Sequence, residues 1–201
     1  FFFYSTQAQI VQDDFEGNGT ITNWFGDACG MNNNFATPYQ QSSHTSATVL
    51  EYNDTGGQYA NVRFQMGENF DLTTNNSFSL QLYVPSSGIT GNQNQQVSLK
   101  LQDGGLNEPW TTQSEIIKPI SLDEWQTVIF DFENDNYINL DGGSPPPIQR
   151  TDFNRVVIQV NGENNNDLVL AYLDNINHYN TESNDPVFDY LVWSDDFDGN
   201  G

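Results

Sequence analysis

Three of the five basic residues of this chain, Arg63, Lys100 and Arg155, each lie in a segment where polar and apolar residues alternate as in a β-strand. Lys100 shares its predicted strand face with Ser98 and Gln102, while the aliphatic residues between them occupy the other face. The segments around Arg63 and Arg155 show the same alternation. Successive side chains of a strand point to opposite faces, so these cations should face away from a core. There they can donate hydrogen bonds to a polar ligand that crosses a sheet. The alternative is that each cation pairs with a nearby carboxylate.

Aromatic side chains in polar, loop-like surroundings form a second candidate set. Trp24 and Trp110 are flanked by Asn, Asp, Glu, Pro and Thr, where a large aromatic side chain needs a reason. Flat aromatic faces stack on the C–H surfaces of pyranose rings, while amides and cations satisfy the hydroxyl groups. We therefore predict a sugar site that contains Trp110, Trp24, Tyr59, Arg63, Lys100, Gln102 and Tyr39. For Trp24 the alternative is a place at the closed end of a core.

Three acidic residues are candidates for a metal site. If Phe15 points into the core of the first strand, Asp14 and Glu16 stand together on the opposite face. Asp174 lies in the last predicted strand, and the first and last strands of jelly rolls usually lie close together. Such carboxylates could converge on Ca²⁺, which prefers hard oxygen ligands. The alternative is that they are solvated residues of a very acidic chain.

Residues that would indicate catalysis lack the expected spacing. His44 and His178 are the only histidines, and neither belongs to a nucleophile or metal-ligand motif. Cys29 is the only cysteine, which excludes an intrachain disulfide and argues against metal–thiolate chemistry. A glycosidase could use any acidic pair, but the Glu-x-Asp-x-x-Glu spacing on one strand face does not occur. We predict that this chain is not itself an enzyme.

The elements that carry these residues are predicted to be strands. Alternation with a period of two recurs between Gly- and Asn-rich turns, and no segment keeps a helical period over ten residues. The predicted strands span residues 10–16, 47–53, 58–66, 77–84, 96–102, 125–132, 154–160 and 168–176. Strands at this spacing predict an all-β fold, a two-sheet antiparallel β-sandwich of the jelly-roll type.

Charge limits the class of partner. The 201 residues include 27 acidic and 5 basic ones, for a net charge of −22. Such a surface repels nucleic acid, anionic lipid and acidic glycans. A neutral ligand or a divalent cation remains, and the alternative is that the acidity serves solubility alone.

The chain is predicted to contain one main domain with short segments on either side. FFFY and the small polar residues after it resemble the end of a signal peptide, so residues 1–9 are predicted to be a signal-peptide remnant of an exported protein. The alternative is an ordinary first strand. Residues 10–179 form the predicted sandwich, and residues 180–190 have the composition of a linker. We expect an extracytoplasmic monomer with no nucleic-acid or membrane partner.

A near-repeat marks the C-terminal segment. DDFDGNG at residues 195–201 echoes DDFEGNG at residues 13–19, which indicates that a second β-sandwich domain opens within residues 191–201. Coincidence is the alternative, because the repeat is short and the composition is biased.

Three motifs carry a resemblance to a known class of module: DDFEG at residues 13–17, WQTVIFDF at residues 125–132 and YLDNI at residues 172–176. Together they resemble β-sandwich carbohydrate-binding modules of bacterial glycanases, which share a galactose-binding-like jelly roll. In that superfamily, acids of the opening strand and an aspartate of the closing strand typically hold a structural Ca²⁺. The resemblance therefore implies Glu16 and Asp174 as ligands, with Asp14 as a third.

The segment LVWSDDFDG at residues 191–199 is similar to the opening of family-16 glycoside hydrolase domains, the laminarinase-type β-glucanases. Their catalytic glutamates would lie after Gly201. The resemblance implies a non-catalytic module that targets a covalently linked endo-β-1,3-glucanase to laminarin-like neutral β-glucan. Two alternatives stay open: a structural or adhesion spacer with a Ca²⁺ site and no glycan site, and a chain that is itself a hydrolase.

Overall fold

The computed structural model describes residues 11–181, which form two antiparallel sheets packed face to face. In the first sheet the strand order is β3-β4-β12-β6-β9, and β1 pairs with β12; in the second it is β10-β8-β7-β11-β5-β2. The strands are β1 (Gln12–Asp13), β2 (Trp24–Asp27), β3 (Gly30–Ala36), β4 (Thr48–Thr55), β5 (Asn61–Gln65), β6 (Ser77–Tyr83), β7 (Gln96–Gln102), β8 (Ser114–Pro119), β9 (Gln126–Asp131), β10 (Ile138–Asn139), β11 (Arg155–Val160) and β12 (Leu168–Tyr179). The short 3₁₀ helices are η1 (Ser86–Gly88), η2 (Pro109–Thr112) and η3 (Pro147–Gln149).

The core lies between the two sheets. Val97, Leu99 and Leu101 alternate along β7 and are buried, while Phe78 and its cross-strand partner Phe130 fill the first sheet's side of the core. Aromatic and branched side chains suit a pleated surface that is buried on one face. Each fully buried side chain of this size stabilises the fold by about 1.5–3 kcal/mol relative to exposure.

The predicted all-β, two-sheet antiparallel sandwich is confirmed. Each of the eight predicted segments contains a strand, although the first is reduced to Gln12–Asp13 because Phe15 has a φ of 57° and turns the chain. Four strands were not predicted: β2, β3, β8 and β10. The sequence of β3 is GMNNNFA, and its run of asparagines indicates a turn rather than a strand.

The first and last strands lie side by side, as predicted, because Gln12 pairs with Asn177 and Asp13 with Ile176. The predicted signal-peptide remnant (1–9), the truncated domain start (191–201) and all but the first two residues of the linker (180–190) lie outside the described residues. Within residues 11–181 no helix has the length and apolar character needed to cross a membrane.

Candidate functional site

The three cations singled out in the sequence lie on one face of the second sheet. Their strands β5, β11 and β7 are neighbours, with Val157 opposite both Arg63 and Lys100, and Arg155 opposite Gln102. Because the intervening residues of β5, β7 and β11 are in the core, these side chains point away from it. We call this surface, the outer face of the second sheet, the polar face.

Two of the three cations are paired with carboxylates. Arg63 donates from Nε to Asp27 Oδ2 at 2.6 Å and from Nη2 to Asp27 Oδ1 at 3.2 Å. Lys100 Nζ lies 3.0 Å from Glu163 Oε2 and 3.5 Å from Glu115 Oε1. For Arg63 and Lys100 the alternative of carboxylate pairing is therefore correct.

Arg155 has neutral partners instead. Its Nε and Nη2 donate to Gln65 Oε1 at 3.1 and 2.7 Å, and Nη2 also contacts the carbonyl oxygen of Gly104 at 3.3 Å. Desolvation by partial burial, followed by repulsion from Arg63, lowers the pKa of Arg155, but arginine stays charged at neutral pH. Among the described residues it is the one basic residue without a carboxylate at salt-bridge distance.

The polar face is therefore close to neutral within a very acidic protein. Asp27, Glu115 and Glu163 pair with Arg63 and Lys100, and Asp103 is close enough to Arg155 to act on its pKa, so the positive and negative charges differ by only one. The whole chain, by contrast, has a net charge of −22. A charge-balanced surface is available to an uncharged polar ligand.

Lys100 and Gln102 form part of the floor of this face. Lys100 is 4% exposed and Gln102 is 6% exposed, and Gln102 Nε2 donates to Gln113 Oε1 at 3.1 Å. Their orientation away from the core is as predicted, but neighbouring side chains cover them. A ligand would reach Arg63 and Arg155, which are partly exposed, before it reached these two.

The segments at the two ends of the polar face carry exposed aromatic side chains. Tyr59, 54% exposed, precedes β5, and its hydroxyl donates to Asn164 Oδ1 at 2.7 Å. Trp110, 53% exposed, belongs to η2 in the loop after β7. That loop contacts Gln102 through Gln113 and Arg155 through Gly104. The strands between the two ends span roughly 20 Å at about 3.3 Å per residue.

Trp24 does not belong to this surface. It is 8% exposed, its ring packs against Phe15 and Phe64, and its Nε1 donates to Asp13 Oδ2 at 2.9 Å. Neither ring face is free for a sugar, so the predicted stacking role of Trp24 is wrong and its alternative place in the core is correct. The sequence around it is polar because β2 is a short edge strand.

Tyr39 lies on the opposite side of the sandwich. Its ring stacks on Tyr83 of the first sheet at a centroid distance of 4.5 Å, and its carbonyl oxygen accepts from Trp125 Nε1 at 2.6 Å. The segment 37–47 thus packs on the outer face of the first sheet, where His44 also stacks on Trp125. The structure therefore does not bring Tyr39 together with Tyr59 and Trp110, and the prediction that it shares their site is wrong.

Both histidines are held by the fold. His44 is buried and its Nε2 lies 2.6 Å from Asp174 Oδ2. His178 stacks on Phe78 at 4.2 Å, and its Nε2 donates to the carbonyl oxygen of Asn75 at 2.7 Å. Burial lowers the pKa of His178 to about 4. His178 is therefore neutral at neutral pH.

The predicted metal ligands do not assemble as a set of three. Asp14 Oδ1 accepts the amide of Glu16 at 3.1 Å, a contact within one turn. Glu16 Oε1 accepts the amides of Ala47 and Thr48 at 2.6 and 2.9 Å. Residues 11–181 contain no group of three or more acidic, histidine or cysteine side chains that could hold a metal ion.

Glu16 and Asp174 nevertheless share a neighbouring segment. Asp174 is fully buried, and its carboxylate interacts with the side chains of His44 and Ser46. These two residues come just before Ala47 and Thr48, whose amides bind Glu16. Burial raises the pKa of Asp174, and its hydrogen bonds oppose that effect. The oxygen donors of these two residues fit the chemistry of Ca²⁺, and calcium binding through them stays a prediction.

Three polar side chains at the Tyr59 end of the polar face have no role that the sequence predicts. Ser98, Gln159 and Asn161 are each 2% exposed, and each has a side-chain polar atom without a hydrogen-bond partner among the described residues. Ser98 and Gln159 stand at alternate positions to Lys100 and Arg155, the cations that were predicted to face away from the core, so the same alternation places them on the outer side of their strands. What the sequence could not show is that their hydrogen-bonding capacity is left unused.

Comparisons with known proteins place the fold. No protein-family model and no curated protein matches the sequence. Among solved structures, the chain is similar to a family 11 carbohydrate-binding module from a cellulosomal cellulase of Clostridium thermocellum, with a TM-score of 0.51, 15% identity and coverage of 87% of this chain and 96% of that one. It is also similar to a xylan-binding domain of carbohydrate-binding module family 22, with a TM-score of 0.50, 13% identity and coverage of 84% and 92%. At this identity the likeness concerns the fold: the chain has the jelly-roll β-sandwich of carbohydrate-binding modules.

Proposed function

We propose that this chain is a non-catalytic module that binds a neutral polysaccharide on the polar face. The observation that carries the proposal is the arrangement of this face: three cationic side chains, nearly balanced by carboxylates and accompanied by amides, with a segment that carries an exposed aromatic side chain at each end. Aromatic rings contribute stacking, and neutral hydroxyl groups can exchange hydrogen bonds with Arg155 and the surrounding amides. Both solved structures reported above are carbohydrate-binding modules by description, which supports the same class of ligand.

The finer part of the proposal is a laminarin-like β-1,3-glucan as the ligand and an endo-β-1,3-glucanase as the attached enzyme. It rests on the resemblance of residues 191–199 to family-16 glycoside hydrolases. The same resemblance, with the apolar start of the chain, supports an extracytoplasmic location. A neutral glucan also suits a protein of net charge −22, which would repel uronic-acid or sulfated chains.

Affinity gel electrophoresis tests the ligand class. We expect retardation by laminarin or mixed-linkage β-glucan, and none by alginate. Retardation by xylan instead would keep the polysaccharide module and correct the glucan assignment. Unchanged migration in every neutral gel would refute the proposal and favour a structural or adhesion spacer. Release of reducing sugar by the isolated chain would show a hydrolase.

Substitution of the exposed rings tests the location. Trp110→Ala and Tyr59→Ala should each weaken binding by about 1–3 kcal/mol, which corresponds to roughly 5- to 150-fold in affinity. Ile129→Ala is the matched control, because Ile129 is 44% exposed on β9 of the other sheet. We expect this control to bind like the unaltered protein. Equal binding by all the variants would place the ligand elsewhere.

A further inference from the structure

A row of polar side chains crosses the polar face near Tyr59. Ser98 of β7 stands directly opposite Gln159 of β11. On the other side of Gln159, the pairing of Ile158 with Val62 makes Asn61 of β5 the next cross-strand neighbour. Directly opposed side chains in antiparallel strands lie within reach of each other. Ser98, Gln159 and Asn61 therefore form one continuous row over three strands.

The polar atoms of this row are unusually short of partners. Ser98 Oγ, Gln159 Oε1 and Asn61 Oδ1 are buried and accept or donate no hydrogen bond within residues 11–181, and the same holds for both side-chain polar atoms of Asn161. The amide nitrogens of Gln159 and Asn61 are bonded, to the carbonyl oxygens of Ala60 and Tyr59. Burial of an unpaired polar group costs stability. A cluster of such atoms needs partners that the described chain does not supply, either a ligand or ordered water.

An open depression adjoins the row on the β8 side. It has a volume of about 550 Å³ and is lined by the segment 93–96 together with Ile117, Pro119 and Ile120. Ile117 is the cross-strand partner of Ser98, and Gln96 precedes Ser98 by two residues on the same face. Every residue of the segment 93–96 has an amide side chain: three are glutamines and one, Asn94, is an asparagine. A ligand in this depression would be next to Ser98.

The loop 161–167 crosses the polar face beside the row, from Lys100 on β7 to the turn before β5. Asn164 is tied to the turn before β5 by its contacts with the Tyr59 hydroxyl and the Gln58 carbonyl oxygen, at 2.7 and 2.8 Å. Glu163 Oε2 reaches Lys100 Nζ at 3.0 Å, which holds the loop against the face. Since Ser98 and Gln159 are only 2% exposed, a group that reaches them from the depression must be small.

We propose that Ser98, Gln159 and the neighbouring Asn61 and Asn161 form a subsite for hydroxyl groups of the bound saccharide, entered from the depression beside β8. This inference rests on the proposed function and adds to it a second, non-aromatic contact region. The free atoms are three amide oxygens, one amide nitrogen and one hydroxyl. They offer more acceptors than donors, so they suit hydroxyl groups, which donate as well as accept. A carboxylate or sulfate group only accepts, and this subsite would reject it.

Two variants each remove one of the unpaired atoms. Ser98→Ala deletes the free hydroxyl, and Gln159→Met replaces the amide by a thioether of similar size. Gln159→Met also removes the hydrogen bond from Gln159 Nε2 to the Ala60 carbonyl oxygen. That oxygen still accepts a hydrogen bond from the Tyr52 hydroxyl at 2.8 Å. Ser77→Ala is the matched control: Ser77 is equally buried, but its Oγ is paired with Asn76 Oδ1 at 3.0 Å in the other sheet.

Titration calorimetry of the full chain with soluble laminarin and soluble xylan, together with thermal unfolding, provides the readout. Ser98→Ala and Gln159→Met should each weaken binding roughly fivefold or more. Ser98→Ala should also leave the melting temperature unchanged or raise it, since it removes a buried unpaired group. Ser77→Ala should show the reverse, a lower melting temperature with unchanged binding.

The outcomes separate this inference from the proposed function. If the unaltered protein binds and Trp110→Ala weakens binding, but Ser98→Ala and Gln159→Met bind normally, the subsite is refuted and the module stands. In that case the row holds ordered water only. If the unaltered protein binds no glycan, both proposals fall.

Discussion

His178 should make the stability of this protein depend on pH in mildly acidic solution. The ring is packed against Phe78 and Phe70, and its Nε2 donates to the Asn75 carbonyl oxygen. Burial holds the pKa at about 4 in the folded protein, against an ordinary value of 6.5. The unfolded chain therefore takes up a proton at a higher pH than the folded chain does. The contribution is fully present above about pH 6.5 and is lost as the pH falls toward 4.

The size of the effect follows from the difference between the two pKa values. That difference, 6.5 − 4, is about 2.5, and each pKa unit is worth about 1.4 kcal/mol, so His178 accounts for about 3 kcal/mol between pH 7 and pH 4. Carboxylates also titrate in this range. A comparison between two proteins that differ only at His178 is needed to separate the contribution of His178 from that of the carboxylates.

His178→Phe provides that comparison, because phenylalanine keeps an aromatic ring beside Phe78 and cannot take up a proton. Loss of the hydrogen bond to Asn75 should lower stability by about 1 kcal/mol at every pH. Denaturant unfolding at several pH values should show the substituted protein losing about 3 kcal/mol less than the unaltered one on acidification. Parallel stability curves for the two proteins would refute the reasoning and mean that His178 titrates normally.

Three further predictions concern the core, the metal and the charge of the site. Trp24→Phe should lower the free energy of unfolding by about 2–4 kcal/mol, because it removes the bond to Asp13 and part of a packed ring; unchanged stability, or weaker binding per folded molecule, would contradict its place in the core. Added Ca²⁺ should raise the melting temperature, and Glu16→Gln, which keeps an oxygen for the Ala47 and Thr48 amides, should abolish the rise; equal melting temperatures with calcium and with chelator would remove calcium from the account. Glycan affinity should change by less than about twofold between low and high salt, since the ligand is neutral and the face is charge-balanced; a steep fall in calorimetric affinity would indicate a charged ligand.

The alternation of polar and apolar residues along individual strands was sufficient to predict which side chains point away from the core. Lys100 and Gln102 were placed correctly because Val97, Leu99 and Leu101 fill the other face of β7. The pattern cannot show how strands are ordered, so the adjacency of β5, β11 and β7 came only from the structure. It also cannot show what covers a side chain, as the low exposure of Lys100 illustrates.

Loop aromatics were the least predictable part of the site. Trp24 and Trp110 have similarly polar neighbours in the sequence, yet Trp24 is 8% exposed and Trp110 is 53% exposed. The difference arises from Asp13, Phe15 and Phe64, which surround Trp24 only after distant parts of the chain meet. Tyr39 was misplaced for a related reason: nothing local indicates that the segment 37–47 packs on the sheet opposite the polar face.

The pairing of β1 with β12 fixes where other domains can be joined to this one. With Gln12 opposite Asn177, the first and last described strands lie at adjacent points of the first sheet. A sandwich whose first and last strands are neighbours can be inserted into a surface loop of a host protein with little strain. This geometry makes the sandwich a transplantable unit for protein engineering.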